Sequence, residues 1–154
     1  MTISHSALAV IFCLTSATAG AQNRLAPLPA PLAVPAPGPS TDAPYAPQPI
    51  LPGGVVIPLY PAGSHFLNAA RVHEAEKYNM SQTVPGRIGS IVNIHNPSIE
   101  VHTVDRSLNN GAAVILVAGG GHRTLNVGSE GADFVPFFYN YGVNTIILRS
   151  RLRS

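Results

Sequence analysis

Cysteine is almost missing from this sequence, since Cys13 is the only one in 154 residues. It lies inside an apolar N-terminal segment that we predict to be removed from the mature chain. A mature chain without thiols can form no disulfide, and it offers neither a cysteine nucleophile nor a thiolate metal site. The stability of the folded part must therefore come from a packed core.

Charged side chains are also scarce. They make up 10% of the chain, with a net charge of +2. The basic residues are scattered apart from Arg149, Arg151 and Arg153 near the end, which we expect to lie near a sheet edge as a solubilising tail. Proteins that bind nucleic acids usually carry a basic stripe interleaved with aromatic platforms. We therefore predict that nucleic acid is not a partner.

Several phosphate and metal motifs are absent. The only lysine, Lys77, is far from the glycine run 119–121, which excludes a Walker A loop, and Thr124 stands where a dinucleotide fingerprint requires glycine. The histidines show no H-x-x-x-H or H-E-x-x-H spacing and have no cysteine partner. We therefore expect no metal ion and no other cofactor.

The N-terminus has the features of a secretory signal. Residues 7–14 form an apolar run, and Ala19-Gly20-Ala21 offers an A-x-A cleavage site. The run is much shorter than the roughly 20 apolar residues that cross a bilayer. We predict a signal peptide over residues 1–21, cleavage after Ala21, secretion or periplasmic export, and no stable membrane anchor.

A proline-rich segment follows the predicted signal. Twelve of the fifteen prolines lie between Pro27 and Pro61, and residues 22–52 carry very little charge. This composition favours extended polyproline II and cannot bury a core of its own. We predict a disordered linker over residues 22–52 and a folded part over residues 53–154. The alternative for the tract is a PxxP recognition motif.

The folded part is predicted to begin with an extended segment at residues 55–60, because prolines interrupt its apolar run. Residues 67–78 have the composition of a helix, with Glu74 and Glu76 on its solvent-facing side. A helix is therefore expected directly after the extended segment.

Two strands are predicted next, over residues 88–95 and 99–104, because both are rich in β-branched residues and the second alternates apolar with polar. Asn96-Pro97 separates them and predicts a turn that joins them as an antiparallel pair. His95 and His102 would then approach each other across this hairpin, although surface or strand-end positions are the simpler interpretation.

The last third carries two further strands. Residues 112–118 form a continuous apolar run, typical of a strand that is buried on both faces of a parallel sheet, and residues 143–148 form another. A helix is predicted between them, with Ser129 as its N-cap, the acidic Glu130 in its first turn and Gly142 just past its end. Its apolar stripe is Phe134, Val135, Phe138 and Tyr141. Strand, helix and strand predict a parallel βαβ unit and the α/β class.

The run Val-Ile-Leu-Val-Ala-Gly-Gly-Gly-His at residues 114–122 is followed by this helix and by a strand that ends in Arg-x-Arg-Leu-Arg. In this combination the chain resembles exported α/β-hydrolases of the esterase, lipase and acetylxylan esterase type over roughly residues 50–154. The resemblance implies a partial α/β-hydrolase sheet, in which an antiparallel strand pair leads into a parallel βαβ unit.

In that family an HGGG-type loop follows the third strand and supplies the N–H groups of an oxyanion hole. The resemblance implies that Gly120 and Gly121 are the oxyanion donors, that Gly119 opens the turn, and that His122 supports the loop. Ala118 departs from the pattern, because it stands where the family usually has the histidine that braces the loop.

The catalytic triad of the family is missing, since no G-x-S-x-G occurs anywhere in the chain. The resemblance therefore implies the N-terminal portion of a secreted serine carboxylic-ester hydrolase. It would act on small-molecule or polysaccharide-linked acyl or acetyl esters and would be inactive alone, so whether this chain is itself an enzyme stays open. The alternative is a small exported binding module without catalysis. The sequence leaves the oligomeric state open.

Overall fold

The computed structural model describes residues 43–153, which form a mixed α/β fold. Helix α1 spans Phe134–Asn140 and follows a π-helical turn at Gly128–Ala132. The strands are β1 (Val55–Pro58), β2 (Lys77–Met80), β3 (Ile88–Val92), β4 (Ser98–His102), β5 (Ala113–Val117) and β6 (Asn144–Arg149). The α/β class is thus confirmed. The predicted signal peptide and most of the predicted linker lie outside the described residues.

The main sheet has four strands in the order β1-β4-β6-β5. Strand β6 pairs in parallel with β5, with Ile115 opposite Ile146, and antiparallel with β4. The predicted parallel pairing of the two strands that flank the glycine loop is confirmed. The connection through α1 makes this possible, because two parallel strands can be joined only by a long crossover.

Strand β5 lies at the edge of the sheet, so the prediction that it is buried on both faces is wrong. Ile115 and Val117 are 62% and 66% exposed. The π-helical turn and α1 pack on the opposite face, where Leu116 and Ile147 join the core. A continuous apolar run does not by itself show that both faces are covered, because coverage depends on elements elsewhere in the chain.

The outer face of the main sheet is apolar across all four strands. The strand registers place Ile99, Val101, Ile146 and Leu148 of the inner strands on the same face as four outer residues. Those four are more than 45% exposed: Val55, Ile57, Ile115 and Val117. The sheet therefore presents a broad hydrophobic surface on this side.

The predicted helix over residues 67–78 is wrong. Residues 67–74 form turns instead, in which Asn68 O accepts the N–H groups of Arg71 and Val72. Strand β2 then begins at Lys77 and pairs antiparallel with β3, with Tyr78 opposite Ile91. Helix propensity is a weak preference, and pairing with β3 overrides it here.

The predicted antiparallel pairing of the strands around Asn96-Pro97 is also wrong, although both strands exist. Strand β3 pairs with β2, and β4 pairs with β1 and β6, so the connection carries the chain from one sheet to the other. His95 and His102 therefore do not face each other across a hairpin. Each bonds a side chain two residues away, Asn93 and Glu100 respectively.

The helix prediction for the last third is correct in type and wrong in detail. Ser129 lies inside the π-helical turn and is not an N-cap, and α1 begins after Asp133. Of the predicted stripe only Val135 is buried, whereas Phe134 and Tyr141 are exposed. Gly142 has a φ of +72° and its N–H donates to Tyr139 O, which is the predicted helix-ending position.

The folded part begins before the predicted boundary at Gly53. The N–H of Tyr45 donates to Val72 O, and Ile50 is 2% exposed within the core. The N–H groups of Ile50 and Leu51 donate to the carboxylate of Glu100. The end of the proline-rich segment is therefore ordered, because a core formed by other elements receives its apolar side chains.

Helix α1 has seven residues. Among residues 43–153 no helix is long and apolar enough to cross a membrane.

Buried His95 is expected to make stability depend on pH. Burial, together with the charge of Arg71, lowers the pKa of His95 against an opposing effect of Glu74. A lowered pKa means that the stabilisation is complete above the unfolded-state value of about 6.5 and is lost as the pH falls below it. Urea unfolding at pH 7.5, 6.5 and 5.5 should show a decline that is much smaller in His95→Gln.

Glu74 is expected to act in a separate pH range. The hydrogen bond from Arg71 lowers the pKa of its carboxyl group to about 2, so its contribution is lost only as the pH falls from about 4.5 towards that value. Glu74→Gln should therefore retain the decline between pH 7.5 and 5.5 and not reduce it, because loss of this carboxylate lowers the pKa of His95 further. A decline of equal size in His95→Gln and the parent would contradict the assignment to His95.

Candidate functional site

The glycine loop, Gly119–His122, lies at the carboxyl end of β5 and is separated from it by Ala118. The N–H of Gly119 donates to Glu130 Oε2 at 2.6 Å, and Gly119 O accepts the N–H of Asn126 at 3.0 Å. Asn126 Nδ2 in turn donates to Glu130 Oε1 at 3.2 Å. The loop is thus held from one side by Asn126 and Glu130.

Two of the predicted site glycines present free backbone donors. Gly120 O accepts the N–H groups of Arg123 and Thr124 at 3.2 and 3.3 Å, which closes a tight turn. Within residues 43–153, the N–H groups of Gly120, Gly121 and His122 have no hydrogen-bond acceptor. Free N–H groups at such a position can stabilise negative charge on a ligand.

The turn requires glycine at position 120. Its φ is +141°, and a Cβ there would lie 2.1 Å from the backbone oxygen of Thr124. Gly121 has a φ of +63°, but a Cβ there would meet open space. His122 adopts a φ of +61°, which is unusual for a residue with a side chain. The loop therefore contains three consecutive residues with positive φ, a conformation that is unfavourable for His122.

Glu130 is a component of the loop that the sequence reasoning missed. It was expected only as an acidic residue in the first turn of a helix. The hydrogen bond from the Gly119 N–H lowers the pKa of its carboxyl group, with a further contribution from Asn126. The spacing of four residues between Asn126 and Glu130 is the one local signal of their contact.

An open depression of about 510 Å³ adjoins the loop. It is lined by Gly121, His122, Arg123 and Arg153. Of the four residues predicted for the loop, Gly121 and His122 line this depression. Gly119 instead donates to Glu130, and Gly120 closes the turn. Ala118, in the position of the family's bracing histidine, is buried.

A second polar cluster lies in the interior and includes Arg149, which was expected near the surface. The Arg149 guanidinium is fully buried and donates to Glu76 Oε2 and to Gln48 O. Its Nη1 lies 3.6 Å from Glu100 Oε2. Glu76 was predicted to face solvent, so the structure corrects both assignments.

The buried cluster joins distant parts of the chain. Glu100 accepts the N–H groups of Ile50 and Leu51 at 2.6 and 3.0 Å and lies 2.8 Å from His102 Nε2. Tyr78 Oη donates to Glu76 at 2.7 Å. Burial raises the pKa of both Glu76 and Tyr78. Because these groups bind one another and the backbone, we assign the cluster a structural role.

Among residues 43–153 no three histidine, aspartate or glutamate side chains lie close enough together to hold a metal ion. Comparison with known protein families finds no family that matches the chain, and comparison with characterised proteins finds no significant match. Neither comparison therefore supports the predicted resemblance to ester hydrolases.

Proposed function

We propose that this chain carries the oxyanion loop of an exported serine ester hydrolase that acts on acyl or acetyl esters, including esters on polysaccharides. The donors would be the N–H groups of Gly120 and Gly121. The observation that carries the proposal is that both lack an acceptor in the described part of the chain and follow β5, which pairs in parallel with β6. Ligands of open α/β sheets bind at the carboxyl ends of such strands.

The loop would act in acyl transfer. A serine oxygen attacks the ester carbonyl carbon, the carbonyl oxygen gains negative charge, and the two N–H groups donate to it. In other hydrolases one such donor contributes about 2.7–4 kcal/mol to lowering the barrier. The nucleophile and its base would have to come from polypeptide other than these residues, because the sequence has no G-x-S-x-G.

The 154-residue chain itself is expected to show no useful ester hydrolysis. An oxyanion hole without nucleophile and base retains only a small part of the catalytic effect. The measurement is p-nitrophenyl acetate hydrolysis by the purified chain and by Gly121→Pro, which removes one donor. Equal rates close to the buffer rate are expected, whereas robust turnover that Gly121→Pro abolishes would contradict the prediction.

The hydrolase proposal is tested by sequencing the transcript beyond the codon for Ser154. An in-frame G-x-S-x-G about one strand and one helix further on is the expected result. With that longer protein, Gly121→Pro should lower kcat/KM for p-nitrophenyl acetate by about 10²–10³ or more, because it removes one donor and proline cannot adopt the φ of +63°. An immediate stop codon, together with sharp thermal unfolding of the 154-residue chain, would contradict the proposal.

A small exported binding module without catalysis is the second candidate. The open depression beside the loop, with two arginines in its lining, is the observation that favours it. The stop codon and the sharp unfolding transition described above would support this function.

A further inference from the structure

The depression beside the glycine loop has the composition of an anion site. We propose that it binds a carboxylate or phosphate group of a ligand, through the guanidinium groups of Arg123 and Arg153 and the N–H groups of Gly121 and His122. In the context of the proposed hydrolase, on which this part of the inference rests, the ester substrate is an acidic one. An acidic sugar or a phosphorylated compound would meet that description.

The two arginines are available for a ligand. Neither forms an ion pair with a carboxylate in the described part of the chain, and both line the depression. Three other arginines are engaged with carboxylates: Arg71 binds Glu74, Arg87 binds Asp133, and Arg149 binds Glu76. A guanidinium presents a planar set of donors that matches the oxygens of a carboxylate or phosphate.

The backbone adds donors to the same depression. Gly121 and His122 are consecutive, have φ values of +63° and +61°, and have N–H groups without an acceptor in residues 43–153. Consecutive N–H groups in such turns form concave anion sites. A ligand that accepts these bonds would help to offset the unfavourable backbone conformation of His122.

Among residues 43–153 the lining contains no carboxylate that would repel an anion. Glu130 is the acidic side chain bound to the loop, but its oxygens are occupied by the Gly119 N–H and by Asn126 Nδ2. Its hydrogen bonds hold it at the start of the loop, whereas the depression adjoins the later residues. The net charge of the lining is therefore positive.

Gly121 connects the depression to the proposed oxyanion donors. It lines the depression, and its neighbour Gly120 carries the other free N–H group. In the proposed hydrolase the Gly121 N–H would donate to the ester oxygen, and Arg123, Arg153 and the His122 N–H would hold the anionic group, so that the ester lies close to Gly120 and Gly121. Binding of this kind positions a substrate and reduces the entropy lost in reaching the transition state.

The inference is tested by calorimetric titration of the purified 154-residue chain at low salt with galacturonate, with neutral galactose and with inorganic phosphate. We expect binding of at least one anion, none of galactose, and weaker binding as NaCl is raised from about 20 to 500 mM. Carboxylate binding alone would assign an acidic sugar, and phosphate binding alone would assign a phosphorylated ligand.

Charge-removing variants locate the site. The double variant Arg123→Gln/Arg153→Gln should bind the anion about tenfold more weakly, which corresponds to two partly screened ion pairs. Both side chains are on exposed residues, so the fold should persist, and circular dichroism would verify it. Arg106→Gln removes one positive charge from another exposed position and should leave the affinity nearly unchanged.

Absence of anion binding in the parent chain, or equal binding in the double variant, would overturn the inference. Its failure is distinguishable from failure of the proposed function, because binding requires no serine nucleophile. If the reading frame stops at Ser154 and the chain binds the anion, the anion site is supported and the hydrolase proposal is contradicted. If a G-x-S-x-G follows downstream and the chain binds no anion, the hydrolase proposal is supported and the anion site is contradicted.

Discussion

Replacing the buried Arg149 with methionine is expected to lower the free energy of unfolding by about 3–5 kcal/mol. Arg149 is the cation that neutralises the buried carboxylates of Glu76 and Glu100, and its side chain is fully buried. Methionine fills a similar volume but removes the guanidinium between two carboxylates, so that Glu100 keeps only the contact with His102 and the backbone, and Glu76 only the hydrogen bond from Tyr78. Burial of an unpaired charge is among the largest destabilising effects that a single substitution can cause.

The measurement is urea unfolding at neutral pH, followed by circular dichroism. Arg151→Met is the matched control, because Arg151 is exposed and donates to Phe66 O. That variant should change stability by about 0.5 kcal/mol or less. The pair Arg149→Met/Glu76→Gln should recover part of the loss, because it removes one of the unpaired charges. A loss below about 1 kcal/mol in Arg149→Met would contradict the structural role of the cluster.

Gly120→Ala is the second substitution with a large expected effect, about 2–3 kcal/mol of stability together with rearrangement of the loop. The added Cβ would lie 2.1 Å from Thr124 O and 2.7 Å from Thr124 C, and backbone atoms cannot move aside as a flexible side chain can. The φ of +141° is also unfavourable for alanine. Both effects act against the turn that exposes the N–H groups.

Gly121→Ala separates these two effects. Its φ of +63° is unfavourable for alanine, but a Cβ there would meet no atom within 4 Å, as at Gly53 with its φ of +80°. Gly121→Ala and Gly53→Ala should therefore cost about 1–2 kcal/mol each. Urea unfolding and the amide chemical shifts of residues 119–124 check the comparison. If Gly120→Ala costs no more than Gly121→Ala, the contact with Thr124 is not what requires glycine.

The exposed side of β5 shows how far local patterns can mislead. The run 113–117 was correctly predicted as a strand, because β-branched residues pack well on a pleated surface. Whether the outer face of this strand is covered could not be predicted, because Ile115 and Val117 would be buried only if another element packed on that face. The sequence pattern is the same for an edge strand and for a central one.

The 67–78 segment illustrates the same limit for a helix. Its composition favours helix, yet Tyr78 pairs with Ile91 and Glu76 binds Arg149, 73 residues further along the chain. These contacts are available only after the two sheets have assembled. Local propensity differs by a few tenths of a kcal/mol per residue, which is too little to resist them.

Local sequence alone determined the glycine loop after β5, the left-handed Gly142 that ends α1, and the existence of strands β5 and β6, because turn chemistry and strand propensity act between near neighbours. Tertiary structure decided which strands pair, which sheet face stays open, and that Arg149 and Glu76 are buried together. It also brought Arg153 beside Gly121 and held Gly119 against Glu130. These features depend on contacts between separate segments of the chain, and such contacts form only when the segments pack together in the folded protein.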